Sequence, residues 1–136
     1  MSMVTVTIRG KEFPLCLTVA ALDEINQKCG GLKKMGAFLD GEDGSGNEKY
    51  SVMICSTAWM LGLLIREGEE NRLITARFDG VKAERRAVPE AGAIEHFLNA
   101  KTVLRYRAAV LEAVNESMQQ DIEAEYQKNV LNAEQK

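Results

Sequence analysis

The sequence predicts an α+β fold, predominantly α-helical, with an N-terminal β-hairpin packed on a small helical bundle. Three observations support this. Apolar residues alternate in the opening segment, the run Val52–Ile65 is apolar nearly all round, and the last third repeats apolar residues at helical spacing. The 136 residues, 46% hydrophobic and 27% charged, suffice for one domain with its own core. The expected divisions are a hairpin (3–17), helices (18–39), an acidic glycine-rich loop (40–50), a helical bundle (51–122) and a fraying tail (123–136).

In the hairpin, Val4, Val6 and Ile8 alternate with polar residues, as do Phe13, Leu15 and Leu17. Folding about Gly10-Lys11 pairs Ile8 with Phe13, Val6 with Leu15 and Val4 with Leu17, so all three apolar pairs share one face. Pro14 has no N–H to donate, and a four-residue turn, Arg9 to Glu12, puts it at a non-bonded position; an edge strand would also tolerate it.

Thr18 is placed to cap a helix that Gly30-Gly31 ends, and a shorter helical segment runs from Leu32 to Leu39. Residues 40–49, "DGEDGSGNEK", hold four acids and three glycines. No register puts a glycine sixth and a glutamate twelfth, so a mobile polar loop is expected rather than a calcium site. Val52–Ile65 has 14 residues where a membrane span needs about 20, which makes it a central core helix with Trp59 at its heart. Residues 68–80 form a further helix closed by Gly80. A connector then leads to Pro89, in the first turn of another.

In the last segment Phe97, Ala100, Leu104, Ala108, Leu111, Met118 and Ile122 fall along one helical line. Val103, Val110 and Val114 form a second line about 100° away, which indicates either deep burial or a partner on that face. "NAKT", Asn99–Thr102, either continues this helix or breaks it, with Thr102 capping a second helix.

Groups suited to chemistry are few. His96 stands alone on a short helix, and no nucleophile–base pair or phosphate loop has the required spacing. A net charge of −3 argues against a general nucleic-acid binder. Lys82, Arg85, Arg86, Lys101, Arg105 and Arg107 make the middle locally basic, which would favour an acidic partner, but Glu84, Glu90 and Glu95 dilute it. Cys16, Cys29 and Cys55 lack zinc spacing and fit buried thiols in a reducing compartment. The opening residues do not have the pattern of a signal peptide, so a soluble, cytoplasmic, non-enzymatic protein without cofactor or metal is expected.

"RGKEFPLCL" running into "LTVAALDEINQKCGG" resembles the start of small tail assembly chaperones of phages and prophages, and of related gene-transfer-agent proteins. The pattern is "G-K-x-[YF]-x-L" followed by "L-T-x-x-A-L-x-E-[LI]" and a glycine. It is met by Gly10, Lys11, Phe13, Leu15, Leu17, Thr18, Ala21, Leu22, Glu24, Ile25 and Gly30. The match covers about the first 31 residues, and the loop at 40–49 departs from the family pattern. The resemblance implies a host-cytoplasmic chaperone that binds apolar helical segments of the tape measure protein, with the tail tube protein as a second partner. It leaves open a homo-oligomer and, as an alternative role, a structural tail component kept in the particle. On this reading Val103, Val110 and Val114, with Arg107, are candidates for the partner surface; the alternative is that the valines are core.

Overall fold

The computed structural model describes residues 4–41 and 50–134, with side chains as far as Met118. Of the polar loop expected over 40–50, Asp40 instead ends one helix, Gly41 caps it and Tyr50 opens the next, while 42–49 lie outside the described residues. The chain is α+β and mainly helical. Strands β1 (Thr5–Ile8) and β2 (Lys11–Pro14) form an antiparallel hairpin. Helix α1 (Val19–Cys29) leads through a 3₁₀ turn (Leu32–Lys34) into α2 (Met35–Asp40). Helix α3 (Tyr50–Phe78), short α4 (Ala91–Glu95) and α5 (Val103–Glu134) complete the element order.

The hairpin register differs from the expected one by two residues. Val6 faces Phe13, Ile8 faces Lys11 and Thr5 faces Pro14. The turn is the two-residue Arg9-Gly10, with φ of 52° and 78°. Positive φ at both central positions makes the mirror-image turn whose twist suits a hairpin. A shift of two leaves every side chain on its original face, so Val6, Ile8 and Leu15 still point into the core. It also accommodates the proline. Leu15 N–H donates to Val4 O at 2.9 Å, so the adjacent Thr5–Pro14 pair is a non-bonded one and lacks no ladder bond. Arginine is a poor left-handed residue, at about 1 kcal/mol. Its guanidinium carbon lies 5.0 Å from the centre of the Phe97 ring, a cation–π contact that offsets some of this.

Thr18 Oγ1 accepts from Ala21 N–H at 3.1 Å to start α1, and Gly30 ends it at φ 85°. The two helices expected over 51–66 and 68–80 are one helix, α3, 29 residues long. It closes at Gly80, φ 71°, where Val81 N–H donates to Ala76 O and Gly80 N–H to Arg77 O. Leu61, Leu64 and Ile65 are fully buried on it, each contributing about 1.5–3 kcal/mol. Trp59 is half-buried at the rim rather than at the heart. It packs edge-on against Phe38 with ring centres 5.8 Å apart, and Lys28 Nζ lies over its face.

Two glycines let other segments cross α3 closely. A Cβ on Gly68 would stand 2.0 Å from Pro14 O, and one on Gly62 3.2 Å from Ala91 N. Beside the first crossing, Cys16 N–H donates to Leu64 O at 3.1 Å. The chain breaks at Asn99–Thr102, where Asn99 Oδ1 accepts from Lys101 and Thr102 N–H and Thr102 Oγ1 accepts from Asn99 N–H. Pro89 lies outside α4, just before its N-cap Glu90. Helix α5 runs on to Glu134, through the stretch where a fraying tail is expected.

The crossing at Gly68 sets the first prediction. Gly68→Ala is expected to destabilise the fold by about 3 kcal/mol or more, because backbone must move. Gly36→Ala, in α2 with open space around it, is expected to be neutral or stabilising by about 0.5 kcal/mol. Urea unfolding of both variants checks the pair.

Candidate partner-binding surface

Helix α5 lies on the body along one side and faces solvent along another, and the two are the reverse of what the apolar count suggests. Val103 and Val110 are 0% exposed and Val114 5%. They are core, and no partner reaches them on the folded chain. Arg107, the fourth candidate, reaches Asp40 at the end of α2 with Nη2 2.7 Å from Oδ1, so its guanidinium ties two helices of this chain together. The line expected to be core is largely exposed: Leu104 is 53% exposed, Met118 39% and Ala108 exposed, while Leu111 is half-buried against the core.

The physical reason is the break at Asn99–Thr102. It resets the helical phase, so Phe97 and Ala100 cannot be counted with the residues of α5. Without them, the side carrying Val103, Val110, Ala113 and Val114 is the stronger apolar face over the stretch that touches the body. Tyr106 on the same helix donates its hydroxyl to Thr7 O at 2.8 Å. Thr7 sits in a non-bonded pair, so that carbonyl points out of the hairpin, and the tyrosine both anchors α5 and covers part of the open strand edge.

Beyond Val114 no described residue of α5 is buried. At 1.5 Å per residue the whole helix is about 48 Å long, and its described buried residues lie between Val103 and Val114.

The remaining polar groups of the body serve the fold. Glu69, 3% exposed, accepts from Arg72 Nε at 2.7 Å and Nη2 at 2.9 Å, and from the backbone and side chain of Arg86. Arg72 in turn donates to Glu84 O, and Arg85 pairs with Glu70. These bonds fasten the irregular connector 81–90 along α3. The Arg72 hydrogen bond, helped by those from Arg86 and opposed by burial, holds the Glu69 carboxyl down to about 2. A carboxylate so fully engaged is a structural anchor and has no oxygen free for a substrate.

His96 is exposed at the end of α4. Cys16 and Cys29 are half-buried and Cys55 is exposed, against the expectation of three buried thiols, and all three are free. Each thiol is pushed above its usual range. Burial is the main cause in all three, with Glu67 adding to it at Cys16 and Glu95 at Cys55, while Lys28 opposes it at Cys29. None is therefore primed as a thiolate. Among the described residues no group of three His, Cys, Asp or Glu is placed to hold a metal ion. No described helix is long and apolar enough to cross a membrane. A groove of about 510 Å³ beside the hairpin tip, between Arg9, Phe13, Val88 and Phe97, is open, with no acid–base pair in it.

The chain matches no protein-family model, no curated protein and no solved structure.

The Glu69 anchor generates a pH prediction. Its carboxyl titrates lower in the folded chain than the usual 4.5, so its contribution is complete above about 4.5 and is lost as pH falls toward 2. Wild type is expected to lose up to about 3 kcal/mol across that window from this group. Glu69→Gln is expected to be less stable at pH 7, with a flatter profile between pH 5 and 2. Thermal unfolding across pH measures both.

Proposed function

We propose that the chain is a non-enzymatic phage tail assembly chaperone. It holds apolar helical segments of the tape measure protein, and tail tube subunits as a second partner, in the host cytoplasm before the tube forms. The observation that carries this reading is the outer line of α5. Leu104, Ala108 and Met118 recur at helical spacing on the exposed side of the helix, with Leu111 between them packed partly on the core. An amphipathic helix laid along such a line buries apolar area on both partners without needing a preformed pocket. The opening motif from Gly10 to Gly30, which resembles that of the family, supports the same assignment.

The line differs from the partner surface first expected on this helix. Val103, Val110 and Val114 position α5 from beneath, and the client meets the residues about 100° round from them. Leu104 and Met118 are exposed rather than part of the buried core, so changing them tests binding with little effect on folding.

Co-expression with helical fragments of the tape measure protein, followed by capture, tests the function. Wild type is expected to bring the fragments down in soluble form. Leu104→Asp with Met118→Asp is expected to weaken capture at least about tenfold while the helical circular dichroism stays unchanged. Failure of the wild type to capture any fragment overturns the assignment. So does recovery of the protein in finished particles by mass spectrometry, which would make it a structural tail component.

A further inference from the structure

Apolar walls and positive charge meet in the groove beside the hairpin tip. Phe13, Val88, Pro89 and Phe97 wall a space of about 510 Å³, with the buried Ile8 and Ile94 beneath. Three of the walls are half-buried and Phe97 is 44% exposed, so apolar surface there stands in water. The groove is open along one side. It therefore suits a segment of chain laid into it better than an enclosed small molecule.

Charge around the groove names the chemistry of its occupant. Arg9 and Lys11 stand exposed at the rim, and no Asp or Glu lines it. Strand alternation is the reason: Lys11 and Phe13 share the groove side of β2, and Glu12 between them takes the other. Neither cation pairs with a described carboxylate. In a chain of net charge −3 the sign is locally reversed. Arg9 is also held there against backbone preference, at φ 52° in a turn position that favours Asn, Asp or Gly. The Phe97 ring, 5.0 Å from its guanidinium carbon, supports the cation from one face. The N–H groups around the edge of the guanidinium are left for an acceptor.

We infer that this groove docks an acidic, apolar segment of a partner protein. A large apolar side chain lies between Phe13 and Phe97, and carboxylates flanking it meet Arg9 and Lys11. A nucleic-acid strand is the poorer occupant, because two cations neutralise few phosphates and the chain as a whole is acidic. The groove shares no residue with Leu104, Ala108 or Met118, so it is a second surface whose binding is independent of the function proposed above.

Fluorescence anisotropy of a labelled peptide, GEEFLEEG, titrated with the full chain, is the test. Wild type is expected to bind it with a Kd on the order of 100 μM and to leave the GKKFLKKG and GEEAAEEG peptides free. Arg9→Asn with Lys11→Gln is expected to weaken binding at least about tenfold. The urea midpoint of that variant is expected to hold or rise, because asparagine suits the turn. Phe97→Ala is expected to weaken binding about fivefold. No binding by wild type up to about 1 mM, equal binding of GKKFLKKG, or binding unmoved by the Arg9/Lys11 pair overturns the inference. So does displacement of the peptide by an oligo-dT strand. A wild type that dimerises, with the dimer blocking the peptide and lost in the Arg9/Lys11 variant, makes a second copy the occupant and overturns it too. Capture of tape measure fragments is measured separately, so a chain that ignores the peptide but captures them removes this inference and leaves the proposed function intact.

Discussion

The arrangement of the whole body follows from how near the second strand comes to helix α3. Pro14 carbonyl lies where a side chain on residue 68 would be, and only glycine leaves that space empty. Backbone thus meets backbone, and Cys16 N–H reaches Leu64 O beside it. Once β2 is seated there, Val6, Ile8 and Leu15 are forced into the core and β1 is carried to the far side. Its outward Thr7 carbonyl then receives Tyr106, which fixes where α5 begins. Gly62 does the same for the start of α4. A two-stranded hairpin is barely stable alone, so its order comes from this contact rather than from the ladder.

The hairpin's existence, the N-cap at Thr18, the glycine stop at Gly30 and the central apolar helix were legible because each depends on neighbours in sequence. The register was less so. Pro14 correctly signalled a non-bonded site, but an arginine in a left-handed turn is not a local signature, and its compensating ring belongs to Phe97, 88 positions away. The single helix α3 was concealed by Gly68, which looks like a break and is in fact a crossing. Nothing in the string announced the Glu69 anchor either, since Arg72 is near it but Arg86 reaches it only through the fold.

The candidate surface was half legible. Both apolar lines of the last helix are visible as periodicity, but which one faces inward depends on where the helix starts. Asn99 and Thr102 stop the phase at a point the pattern alone leaves ambiguous. With the start at Val103, the body holds the valine side and leaves Leu104, Ala108 and Met118 exposed. Arg107 is an arginine turned inward to Asp40, which sequence charge counting cannot distinguish from one offered to a partner.

Among its described residues helix α5 has its last buried one at Val114, and its backbone stays helical to Glu134, about 30 Å further on. A tilt of about 10° at Val114 would move that end by about 5 Å, roughly one helical turn. How the valine side seats on the body therefore decides where the end of the helix lies.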